Sequence, residues 1–280
     1  MDLSQLRFVA GIPSEWAEFE SRHRPFLERQ PNLWEAMNIA FIRTLLTGEP
    51  IERFVFGYGR LCCEDFCEVL LLSTNGYGVG ATKLLRTLYE HAVTLHYLNE
   101  RPDELSDFYD YSFVTEHKLL KPILDTFGAD AFANTNVSEA EVEQRFQSVK
   151  DRFKITDCKK CGTQKLNHSW NKLDFISMAK QTGSLGSLIV PAYYGPLTHA
   201  HSSIAALTSR LSTSADGGVS FVPTAQRKEA DDALLTAHNI ILHVLDIQND
   251  RFEIPGLGEK LQICFQDFLD IWKDKKRETS

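Results

Sequence analysis

The sequence has no surplus of positive charge: 38 acidic residues face 30 basic ones, a formal charge of −8 over 280 residues. That excludes broad, non-specific binding to nucleic acid or to an anionic membrane surface and leaves only a local basic patch for such a role. A long uninterrupted apolar run is also missing. The longest candidate, CEVLLLSTNGYGVGATKLL (Cys67–Leu85), is broken by polar residues and glycines, so no bilayer span and no membrane partner are expected. MDLSQLRFVAG at the start has no basic stretch leading into an apolar one, which argues against a secretory signal. Without such a signal the six cysteines read as reduced thiols, and a cytoplasmic location is expected. Alternating polar and apolar residues, internal repeats, low-complexity tracts and Pro/Ser linkers are absent too. The first absence excludes an extensive sheet, and the others leave no forced domain boundary. Familiar chemical motifs are missing as well. GYGVGA lacks the preceding strand that a dinucleotide-binding loop requires, and there is no G-x-S-x-G, H-E-x-x-H or EF-hand loop.

Helical periodicity is what the chain does have. With 43% hydrophobic and 24% charged residues it can bury a core for one large domain or two closely associated ones. Helices are expected over 14–27 and 33–47, divided by RQPN, and over 51–73 before the turn TNGYG. The segment after that turn continues helically to Asn99; Pro102 then starts a helix in which Pro122 predicts a kink or a break. Ser138 stands three residues before Glu141, the spacing of a capping box, so a helix starts there. KITDCKKCGTQKLNHSW (154–170) is irregular, and helical patterns resume at 171–182, 188–210, 225–250 and 257–275. STSADGGVSFVPT reads as a loop with a short extended piece at VSFV. The expected fold is all-α: a bundle of about eight to nine helices with one irregular Cys-containing loop. Residues 1–50 read as an N-terminal helical extension of a core formed by 51–280.

The most pointed stretch is LLRTLYEHAVTLHYL, residues 84–98. Leu84, Leu88, His91, Leu95 and Leu98 recur at spacings of four, three, four and three, one helical seam in which His91 occupies a leucine position. Arg86 and Glu90 lie about 40° apart on the same helix, so their side chains can meet. On a helix apolar over most of its circumference, an unpaired charge costs several kcal/mol, and the two charges are expected to satisfy each other. Three readings follow: an ion pair that sets helix packing, a cleft with Glu90 as general base or Arg86 as anion clamp, or a partly exposed pair without a role. His91 is either a hydrogen-bonded core histidine or a third catalytic candidate. RTLYEH resembles the Arg-x4-His element of HEPN-type helical ribonucleases, which implies metal-independent RNA cleavage by Arg86 and His91, as in a toxin or defence effector. Five positions along an unbroken helix set those two side chains about 140° apart, so that reading needs a local break in the helix or the motif of a second subunit in a homodimer.

YYGPLTHAHSSIAAL, residues 193–207, is the second dense spot. In a helix Tyr194, Leu197, His201 and Ile204 share one face, with Thr198 beside it, while His199 and Ser203 share another. His199 and His201 then point apart, which argues against a two-histidine metal grip. Taken together, RTLYEHAVTLHYL and YYGPLTHAHSS resemble the helical family called domain of unknown function 5677. Arg86, Leu88 and Glu90 fit its R-x-L-x-E element; Tyr194, Leu197, Thr198 and His201 fit its Y-x-x-L-(S/T)-x-x-H element. The resemblance covers roughly 60–210 and implies that polar residues of two distant helices share a site. It implies no activity.

CKKCG, with Cys158 and Cys161, has the form of half a zinc knuckle, and His168 follows seven residues on. Three ligands fall one short of a tetrahedral set, so a structural zinc needs a fourth, from Cys62, Cys63, Cys67 or elsewhere. The candidate residues are therefore Arg86, Glu90, His91 and His201 for catalysis, Tyr194, Thr198 and His199 for ligand contact, and Cys158, Cys161 and His168 for metal. A polar pocket for small-ligand binding or hydrolysis, a ribonuclease with RNA as substrate, and a non-catalytic scaffold or homo-oligomerisation module are the functions these residues allow.

Overall fold

The computed structural model describes residues 13–128, 138–157, 162–200, 204–208, 210–221 and 225–273. The fold is all-α. Helices α1 (Pro13–Arg22), α2 (Arg24–Phe41), α3 (Pro50–Thr74), α4 (Gly78–Glu100), α5 (Leu105–Phe127) and α6 (Glu139–Val149) come first. Three short ones follow: α7 (Phe175–Ala179), α8 (Gly195–Ala200) and α9 (Ile204–Thr208). The long α10 (Arg227–Phe252) and α11 (Leu257–Trp272) complete the described chain. No helix among the described residues is long and apolar enough to cross a membrane.

The chain falls into two compact units, Met1–Asn99 with Ala179–Ser280, and Glu100–Met178. In the first, α3 packs along α10, and α2 and α10 pack on α11. Ala230, Ala233, Leu234, Ala237, Ile241 and Val244 repeat at three- and four-residue spacing along α10 and are buried; the small residues among them let α3 approach closely. In the second unit α5 and α6 enclose a small core of Tyr111, Val114, Phe146, Val149 and Phe153. The Tyr111 hydroxyl donates to the Asn167 carbonyl at 2.9 Å, and Lys118 Nζ donates to the same oxygen at 2.9 Å.

Several boundaries differ from the sequence reading for identifiable reasons. RQPN does not divide two helices: α2 runs through Pro31, and the break falls at His23. Pro25 sits in the first turn of α2, where a missing N–H costs nothing. Pro31 forfeits one intrahelical bond, but the burial of Phe26, Leu33, Ala36 and Met37, with α2 packed on α11, holds the helix together. Pro122 is likewise accommodated inside α5. Ser138 is the N-cap of α6, in extended conformation, though its side chain makes no capping bond.

Where one helix was expected over 188–210, the chain makes a 3-10 turn (Gly183–Leu188), a π-turn (Val190–Tyr194), α8 and α9. Gly195 and Pro196 fall at the junction between the π-turn and α8. Two small antiparallel hairpins complete the description: β1 (Lys154–Thr156) with β2 (Gln164–Leu166), and β3 (Leu211–Thr213) with β4 (Val219–Phe221). The first pair flanks the CKKCG segment in sequence, and β4 falls on the expected extended piece.

Candidate functional site

Helix α4 directs its polar side chains to different neighbours. Arg86 Nε donates to Glu90 Oε1 at 2.7 Å, the i, i+4 pairing its spacing predicts. The pair is partly solvated, with side chains 21% and 41% exposed. The Arg86 guanidinium also lies over the Tyr193 ring, 4.6 Å from its centre, with the Tyr193 hydroxyl 3.5 Å from one of its nitrogens. One turn on, the fully buried Tyr89 donates its hydroxyl to the Leu185 carbonyl at 3.1 Å, and burial pushes its ionisation up to about 12. Tyr89 and Arg86 together tie α4 to the irregular segment 183–194. π-Turns of this kind often mark functional sites, because they reposition side chains that a regular helix would turn away. His91 goes elsewhere: its Nδ1 is 2.7 Å from Asp65 Oδ2 on α3, and its ring meets Tyr58 edge-on.

The structure therefore joins Arg86 to both Glu90 and Tyr193 and gives His91 a separate partner. Tyr194, the tyrosine singled out by the sequence pattern, is exposed and meets the Tyr193 ring edge-on. Thr198 is exposed and donates to the Gly195 carbonyl. His201, Cys158 and Cys161 lie outside the described residues. His168 is exposed, and among the described residues no three His, Cys, Asp or Glu side chains gather to hold a metal. Cys62 and Cys63 are core residues of α3 whose thiols burial pushes well up, whereas Cys67 lies on the exposed side; none of the three is in a disulfide.

Beside the Arg86 cluster lies a half-open cavity of about 540 Å³. Thr82 and Leu85 of α4 line it, with Leu188, Pro191, Pro196 and His199 from the irregular segment and α8. Helix α10 supplies Glu229, Asp232, Ala233, Thr236 and Asn239, and α11 supplies Phe268. Thr82 is one helical turn from Arg86, and Pro191 and Gly195 bracket Tyr193, so the brace and the cavity are built on the same elements. His199 Nδ1 is buried with no hydrogen-bond partner among the described residues. Sequence reading missed Tyr193 and the whole α10 wall. The available signal was on α10, where Glu229, Asp232, Thr236 and Asn239 fall within an arc of about 80°.

Replacing Tyr193 with leucine removes the aromatic face under Arg86 and is expected to cost about 1 kcal/mol of stability, read from urea unfolding. The accompanying loss of amide-exchange protection is expected to concentrate in 183–200; uniform loss across the chain would contradict the bracing role.

This is a helical protein with a mostly apolar cavity closed on one side by irregular turns that a cation–π contact holds to α4. The model of the family described as "Family of unknown function (DUF5677)" matches residues 53–219, more than half of the chain, and the chain belongs to that family. No curated protein and no solved structure matches it. The matched residues include Arg86, Glu90, Tyr193, Tyr194 and His199; the α10 wall of the cavity falls beyond them.

Proposed function

We propose that this protein binds a small molecule in the cavity between α4, α8, α10 and α11. The observation that carries the reading is His199, which lines the cavity and whose buried Nδ1 has no hydrogen-bond partner among the described residues. Leaving such a group unsatisfied costs about 1–3 kcal/mol, a cost that a ligand can relieve. The setting supports it: the volume lies within the range of small-molecule sites, and apolar walls with a few convergent polar groups are their usual composition. In this reading Arg86, Glu90 and Tyr193 hold the irregular wall in place, Tyr194 and Thr198 lie on its outer side, and His199 contacts the ligand.

The test is a screen of small amphiphilic compounds against the purified protein by thermal shift, with stoichiometry from native mass spectrometry. Compounds that bind one to one and raise the melting temperature are expected, and Thr82→Trp, which fills the cavity from its half-exposed rim, is expected to abolish the response. If no compound stabilises the wild type, or if Thr82→Trp responds equally, the reading fails.

A further inference from the structure

We infer that the ligand of this cavity is an apolar amine, a hydrocarbon body carrying a cationic, hydrogen-bond-donating head; the inference rests on the small-molecule reading above. It follows from counting which polar groups on the wall still have something to offer. Among the described residues two hydroxyls line the cavity, and both have spent their protons: Thr82 donates to the Val79 carbonyl at 2.9 Å and Thr236 to the Asp232 carbonyl at 2.8 Å. Each can only accept from a ligand. Among the described residues of the wall the lysine is Lys228, 84% exposed and paired with Asp232 at 2.5 Å, so that pair brings no net charge to the site.

Glu229 remains. It lies in the first turn of α10, where the helix N-terminus favours negative charge, and among the described residues its side chain has no hydrogen bond or ion pair. A carboxylate accepts and never donates. Asn239 adds an amide that makes no hydrogen bond among the described residues. Among the described residues the free polar capacity of the wall is therefore dominated by acceptors, and Lys228, on which both Asp232 and Glu229 act, leaves the wall a net charge of one negative. Among the described residues a carboxylate or phosphate head finds no free cation and meets like charge, while an ammonium finds several acceptors and a counter-ion. Leu85, Leu188, Pro196 and Phe268 supply the apolar surface for its body.

Hexylamine, hexanol and hexanoate share one body and differ only in the head, so titration calorimetry with the three separates the claims. Hexylamine is expected to bind about ten-fold tighter than hexanol, with hexanoate weakest. Glu229→Gln, which keeps shape and loses charge, is expected to erase the amine's advantage and leave hexanol unchanged. If hexanol or hexanoate binds as well as hexylamine, the amine inference falls while the cavity reading stands. If the advantage survives in Glu229→Gln, the amine is adsorbing to the acidic surface and the inference is overturned. If none of the three binds and Thr82→Trp alters no thermal response, both readings fall together.

Discussion

Replacing Gly78 with alanine is expected to destabilise the first compact unit by about 3 kcal/mol, or to prevent it from folding. A Cβ at this position would stand 2.0 Å from the Gln226 carbonyl oxygen and 2.6 Å from the Ala230 amide nitrogen. Both are backbone atoms at the start of α10, so no side-chain rotation relieves the clash. The junction is also stitched by hydrogen bonds: the Gln226 amide donates to the Gly76 carbonyl at 3.2 Å, and the Gln226 side-chain oxygen accepts from the Val79 amide at 3.3 Å. Pushing α10 away therefore strains these bonds and moves Glu229, which lines the cavity. Gly57 on α3 provides the control, because nothing lies within 4 Å of its would-be Cβ. Gly57→Ala is expected to be neutral or to stabilise by about 0.5–1 kcal/mol, since alanine is the better helix former. Urea midpoints of the two variants decide the matter; equal midpoints would remove the close-approach argument. The same contact explains why GYGVGA carries glycines without being a phosphate loop: Gly78 serves helix packing.

Acid is expected to destabilise the protein through His238. This ring is buried against Phe26, Phe268 and Trp272, its Nδ1 accepts from Trp272 Nε1 at 3.2 Å, and burial pushes its ionisation down from 6.5 to about 3. The unfolded chain takes up a proton as pH falls below 6.5, while the folded chain refuses it until pH approaches about 3. The stabilisation is therefore complete above 6.5 and is lost as pH falls toward about 3, at about 1.4 kcal/mol per pH unit. Between neutrality and about pH 4 the loss amounts to about 3 kcal/mol. His243, whose ionisation burial and nearby His96 also lower, adds to the loss; Asp246, raised by burial and by Asp250, acts in the opposite sense. Urea unfolding at about pH 7 and about pH 4, compared between the wild type and His238→Gln, reads the effect directly. Glutamine still offers an acceptor to Trp272, so the acid sensitivity is expected to shrink by most of that amount; an unchanged acid loss would assign it to other groups.

Local patterns legible in the sequence carried through wherever a side chain's partner lies within one helix. Arg86 and Glu90 meet because they stand at i, i+4, α4 forms because leucines recur at three and four, and α6 starts at Ser138 as its spacing to Glu141 marks, though without the capping bond. Pro31 misled because the energetic cost of one missing hydrogen bond was weighed without the apolar burial that offsets it. The segment 188–210 misled because its apolar spacing is helical while its backbone passes through 3-10, π and α geometry in turn. Tyr194 was the tyrosine that fitted a motif, yet Tyr193 faces Arg86, since a π-turn rotates side chains relative to the regular helix assumed in the reading.

By itself the sequence determined that this chain is helical, where most of its long helices lie, and that its charged pair on α4 is satisfied from within the helix, because these depend on periodicity and short-range sterics. Only the tertiary structure decided that His91 turns to Asp65, that Gly78 admits the backbone of α10, and that α10 walls a cavity with α4. Each of those brings together residues between 26 and about 150 positions apart, and no local pattern encodes which distant surface a helix face will meet.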